Sequence, residues 1–192
     1  MTKKNILKVL SLILVLGLLY LGRSLFFAAW VNSRPVFRLS LVSELERQGG
    51  KQVLENLIDQ TLINQEAKKE KITVSADEID QEIKSIEDVV KSQGLSLDDA
   101  LKFRNQTRDD LKKQISLQKT IEKLLSSKIT ITDAEITDYY TKNKSQYDKM
   151  AKFDSLKDQI KSQIFQQKLT DEYTKWVAEL RAKAKIHYFV SF

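Results

Sequence analysis

Apolar positions along this chain follow three regimes. Residues 9–22 (VLSLILVLGLLYLG) carry no charge, and a second apolar patch, Leu25 to Val31, follows Arg23. Beyond about residue 40 the apolar residues return at helical spacing, on narrow stripes flanked by charge. The first regime predicts a membrane segment and the third a helical body.

A helix from Ile6 to Leu21 spans about 24 Å at ~1.5 Å per residue, slightly short of a ~30 Å hydrocarbon core. Lys8 and Arg23 can turn their charges outward, and Phe26 and Phe27 can lengthen the apolar stretch. Lys3, Lys4 and Lys8 precede it, with no acidic residue among the first 30. The positive-inside rule therefore places the N-terminus in the cytoplasm, as a single pass through the inner (plasma) membrane, with the remainder outside. On this reading residues 1–28 are an uncleaved anchor and 29–192 an extracytoplasmic domain. A cleaved signal is the alternative, although a cut after Ala29 or Ala28 puts Phe27 or Phe26 where a small residue is wanted. A non-membrane segment is the third.

Residues 29–38 (AWVNSRPVFR) predict two short strands, or one extended strand, with a turn at Asn32-Ser33; Pro35 restricts them to an edge. A short amphipathic stretch, Leu39 to Gln48, is expected to break at Gly49-Gly50. Gln52 to Lys71 follows, its tail QEAKKEK polar all round. Two helix starts then repeat: Lys71 to Ile79 (KITVSADEI) and Lys128 to Ile136 (KITITDAEI). In each, Ser75 or Thr132 can cap the helix and Glu78 or Glu135 can complete a capping box.

The helix after Ser75 is expected to run to Gln93, with Gly94 closing it. Ser96 caps Leu97 to Phe103, and Thr107 caps Arg108 to about Ser127. Ala134 to Lys142 and Phe153 to about Lys183 complete the helices, the last two separated by a polar loop, Asn143 to Lys152. Ala184 to Phe189 alternates like a half-buried strand. The expected fold is mainly α: a transmembrane helix, then an extended multi-helix module whose N- and C-terminal strands pair with each other or stand as lone edges, pairing being preferred. Stripes this narrow leave part of each helix uncovered by its neighbours.

Composition removes several chemistries. The 192 residues include no cysteine and one histidine, so no disulfide, thiolate metal site or two-histidine zinc motif can form. Five glycines and one proline argue against a turn-rich β fold. The net charge of +6 is concentrated near the N-terminus: four of the 32 basic residues and none of the 26 acidic ones lie in the first 30. Residues 31–192 are left at +2, which gives no case for nucleic acid.

The order of elements resembles the chaperone module of the SurA and PrsA foldases. The likeness lies in Val31-Asn32-Ser33-Arg34-Pro35-Val36 followed by Leu41 and Leu45, and in Val53 to Asp59 with Leu62-Ile63. Ile72 to Ser75 leading to Glu78-Ile79, Gly94-Leu95-Ser96 with Leu101, and Arg108 to Ile115 also fit. Glu135 with Tyr139-Tyr140, Asn143 and Tyr147 completes it, so that the resemblance covers about residues 29–190. Ser33 stands where that family usually has glycine. Only Asn143 to Lys152 occupies the place where those foldases usually carry a parvulin isomerase domain. The resemblance thus implies a chaperone core that binds unfolded exported polypeptides without isomerase activity and without a cofactor.

Catalysis has little support from the residues. Asp98-Asp99 and Asp109-Asp110 follow helix caps, where acids favour the helix dipole, and His187 lies on the outward side of the expected strand. Tyr173 and Trp176 share the stripe of Leu169 and Leu180, which points to core. Phe103, Tyr147 and Phe153 flank loops and are the candidate peptide-binding residues. Three functions stay open: a membrane-anchored chaperone, an anchored helical scaffold that pairs with another envelope protein or itself, and an isomerase.

Overall fold

The computed structural model describes residues 23–147 and 153–192. Nearly all of the expected anchor therefore lies outside the described residues; among those described, no helix is long and apolar enough to cross a membrane. Two compact units divide the chain, one extending to Leu57 and including Tyr188–Phe192, the other Ile58–His187.

In the first unit a single helical turn, α1 (Arg23–Phe26), leads into β1 (Phe27–Val31), which pairs antiparallel with β2 (Arg34–Phe37). Phe27 thus belongs to a strand and does not lengthen an anchor helix. Asn32 and Ser33 have φ of 47° and 67°, as a two-residue type I′ turn requires. Asparagine tolerates that conformation, whereas serine carries a cost of about 1 kcal/mol that glycine would avoid. The register slips at Ala28, between the Phe27–Phe37 and Ala29–Val36 pairs. That bulge puts Phe27 on the face of Trp30 and Phe37, with ring centroids 5.4 and 5.5 Å away.

Two expectations fail, one at the glycine pair and one at the chain's C-terminal end. Helix α2 (Arg38–Leu45) does not break at Gly49-Gly50; a π-helical turn, Glu46–Gly50, carries it into α3 (Lys51–Lys69). Two helical glycines cost roughly 1 kcal/mol each, and the wider turn accommodates them. Residues 184–189 form no strand and do not pair with the N-terminal one. Strand β2 follows β1 after two residues and satisfies its ladder locally, whereas the chain end would have had to close a loop of about 150 residues. The C-terminal segment is instead held by Tyr188, whose Oη donates to Glu55 at 3.2 Å, and by Phe192, whose ring occupies the space a Cβ on Gly50 would fill.

The second unit contains the rest of α3, then α4 (Ala76–Ser92), α5 (Leu97–Phe103), α6 (Arg108–Leu125), α7 (Asp133–Asn143) and α8 (Phe153–Lys183). Ser75, Thr107 and Thr132 each form a full capping box, and Ser96 caps α5. The ends of α3, α4 and α5 share one closure. In each, the N–H of Ile72, Leu95 or Gln106 reaches back five residues, while Lys71, Gly94 or Asn105 takes positive φ. Ala67 in the QEAKKEK tail is buried, so that stretch is not polar all round.

Three apolar clusters fill this unit. Ile63, Leu125, Leu169, Trp176 and Val177 join α3, α6 and α8. Ile83, Leu97, Leu101 and Ile115 join α4, α5 and α6, and Ile136, Ile160 and Ile164 join α7 to α8. The buried positions of these stripes are mated with one another, while Val89, Leu95 and Phe103 stay exposed in this unit.

Candidate functional site

The repeated helix starts build a repeated polar clamp. Lys123 Nζ lies 2.6 Å from Glu78 Oε1 and donates to the Thr73 carbonyl at 2.8 Å. Lys168 Nζ lies 2.5 Å from Glu135 Oε1 and donates to the Thr130 carbonyl at 2.6 Å. Each lysine thus secures a capping glutamate and the extended backbone two residues before the cap. The lysine hydrogen bond, followed by the cap's backbone N–H, holds both carboxyls at about 2. The arrangement fixes where an extended segment turns into a helix.

Three of the four paired carboxylates are likewise occupied in structural contacts. Asp98 accepts from Arg108 at 2.7 Å, and the same guanidinium reaches Glu87 at 2.9 Å, tying α4, α5 and α6 together. Asp99 and Asp110 bond the capping hydroxyls of Ser96 and Thr107. Arg108 draws the Asp98 carboxyl below its usual range, and the Thr107 hydrogen bonds do the same for Asp110. His187 is exposed, on a segment that forms no strand. Among the described residues no group of His, Asp and Glu is placed to hold a metal.

The three candidate aromatics do not come together. Phe103, at the end of α5, is 91% exposed. Tyr147 and Phe153 both pack against Tyr140, at centroid distances of 5.8 and 4.9 Å, within the α7–α8 cluster. Tyr147 Oη also donates to Gln163 at 3.1 Å, and desolvation raises its phenol. Trp176 and Tyr173 lie in the core as expected.

Uncovered apolar surface lies elsewhere. Of 19 large apolar residues exposed among those described, 16 belong to the first unit, in which no described residue is buried. Leu25, Phe26, Trp30 and Val31 lie on α1 and β1; Leu39, Leu41, Val42 and Leu45 lie on α2. The C-terminal segment adds Tyr188, Phe189, Val190 and Phe192, Phe189 being 95% exposed. Sequence reasoning missed this set because strand or helix spacing alone does not reveal whether a second layer covers it. The one available signal was the density of apolar residues between Leu25 and Leu45.

Capped helices that follow a β-hairpin along the chain make up a mainly helical fold. Residues 37–125 match the SurA-like N-terminal domain. In Bacillus subtilis (strain 168), the "Putative peptidyl-prolyl cis-trans isomerase YacD" is 32% identical over 119 residues, which are 62% of this chain. The match spans only 38% of that relative's length. The crystal structure of PrsA from Bacillus subtilis shares the fold at a TM-score of 0.53, with 17% identity over 85% of this chain and 94% of that one.

Proposed function

We propose that this protein is a membrane-anchored extracytoplasmic chaperone that holds unfolded exported polypeptides without catalysing prolyl isomerisation. The observation that carries the reading is the concentration of exposed apolar side chains in the first unit, on a chain whose residues 37–125 match the SurA-like N-terminal domain. Apolar client segments would cover Leu41 and Leu45 on α2, Val53 on α3, and Phe189 on the C-terminal segment; Phe103 adds a separate contact. Tyr147 and Phe153 are partly buried and offer less surface than Phe103.

Covering such surface yields about 25 cal/mol per Å2, from which the ordering of client and side chains is subtracted. Binding without nucleotide is accordingly weak and reversible. No segment between α7 and α8 is long enough for a catalytic domain. Residues 1–22 supply the anchor in this reading, with the body outside the plasma membrane.

The test dilutes a chemically unfolded secretory protein into buffer containing the full chain in detergent. Suppressed light scattering at near-stoichiometric amounts is expected, and Leu41→Ser with Leu45→Ser should weaken it while the helical circular dichroism persists. Unchanged scattering at several-fold excess rejects the chaperone reading, and prolyl-isomerase turnover rejects its non-catalytic part. The anchored scaffold is the second reading, favoured by the same 16 exposed residues if a second copy covers them. A stable oligomer in sedimentation that excludes client would establish it.

A further inference from the structure

The first acidic residue of the chain is Glu44. Residues 1–43 hold six basic residues, Lys3, Lys4, Lys8, Arg23, Arg34 and Arg38, and residues 44–192 hold 26 basic and 26 acidic ones. The whole net charge of +6 thus resides in the anchor and the elements directly after it. In those elements it coincides with aromatic surface. The bulge at Ala28 gathers Phe27, Trp30 and Phe37 on one face of the hairpin, and Trp30 is 62% exposed. Leu25 and Phe26 are exposed on the preceding turn. Arg34 and Arg38 are exposed as well, Arg38 using one N–H on the Ser24 carbonyl at 3.1 Å.

Exposed aromatic residues and arginines within a stretch that holds no acidic residue before Glu44 have the composition of a bilayer interface, where the rings sit at headgroup depth and the guanidinium meets phosphate. Backbone geometry fixes that depth. A two-stranded hairpin has two open edges, whose N–H and C=O groups cannot be left unpaired in hydrocarbon but are satisfied among headgroups and water. Connectivity fixes the location: Leu25 lies three residues beyond the uncharged run that ends at Gly22.

We propose that the hairpin face of Phe27, Trp30 and Phe37, together with the exposed Leu25 and Phe26 of α1, rests in the headgroup region of an anionic bilayer, with Arg38, and Arg34 from the hairpin's other face, on lipid phosphates. The inference rests on the anchor assigned under Proposed function, and it adds a second, interfacial attachment that orients the start of the body. Client binding is left to α2 and the C-terminal segment.

The chain's two tryptophans make the test direct, because Trp176 is a core residue at 7% exposure. Full chain reconstituted into phosphatidylglycerol–phosphatidylcholine vesicles is first floated, then its fluorescence is recorded with lipids brominated near the headgroup or deep in the acyl chain. The Trp30→Phe variant isolates the Trp176 signal. Quenching of Trp30 by shallow bromines is expected at about twice the extent seen for Trp176, and Arg34→Ala with Arg38→Ala should reduce it in phosphatidylglycerol. A chain that floats while Trp30 is unquenched overturns the interfacial seat and leaves the anchor standing. A chain that does not float overturns both. A Trp30 blue shift that grows with protein concentration, without bromine quenching, assigns the face to a second copy and also overturns the proposal.

Discussion

Backbone positions with positive φ give the cleanest tests at the residue scale. Lys71, Gly94 and Asn105 occupy the same place in three helix closures, with φ of 56°, 80° and 53°. Only Gly94 is free of the Cβ penalty, and a Cβ there would meet nothing within 4 Å, so the cost of substitution is purely conformational. Gly94→Ala is expected to destabilise by about 1 kcal/mol, and Lys71→Gly to stabilise by up to about 1 kcal/mol, less the entropy glycine adds to the unfolded chain. Chemical denaturation of both variants checks the pair; a Lys71→Gly variant that loses stability would contradict the closure. Ser33→Gly should tighten the hairpin turn by a similar amount, read as slower amide exchange in β1 and β2. Gly94 and the capping Ser75 were legible in the sequence because a residue without a Cβ after the last periodic position, and a hydroxyl before the first, state their roles. Lys71 was not, since nothing in a lysine announces a left-handed backbone that its surroundings impose.

Elements were legible where period and caps agreed. The last helix spans Phe153–Lys183 and the short one Leu97–Phe103, as their stripes and caps imply. The errors fell where two local rules competed. Gly49-Gly50 signals a stop, yet continuation as a π turn keeps α2 and α3 joined. Residues 184–189 alternate like a strand, but alternation cannot supply a partner, and β1 already has one in β2. At this scale the repeated lysine clamps carry a pH prediction. Glu78 and Glu135 are held at about 2 against an ordinary 4.5, so they bind protons less readily folded than unfolded. Their stabilising contribution is complete above 4.5 and is lost as pH falls towards 2. Melting temperature should fall across that window, and Lys123→Met with Lys168→Met should flatten the fall. A double variant whose acid profile matches the parent would show that the clamps do not set it.

For the molecule as a whole, stability and binding are expected to reside in different units. Leu125 and Ile160 are fully buried in the second unit, and Leu125→Ala should cost about 2–5 kcal/mol, whereas Phe103→Ala should leave the denaturation midpoint nearly unchanged. The location of the uncovered surface was not legible in advance, because coverage of a stripe depends on which elements meet, and the long helices turned out to cover one another. The first unit has no buried described residue and offers its backbone little protection by itself. Its amides should therefore exchange quickly in detergent while those of α6 and α8 stay protected. Two partners would then leave two imprints. Unfolded client should slow exchange in α2 and the C-terminal segment, and anionic vesicles should slow it in β1 and β2. Mass-resolved hydrogen exchange on the full chain reads both. Should client and lipid protect the same peptides, the apolar surface is one undivided site, for which the two compete, and a chaperone seated on its membrane could not hold a client there.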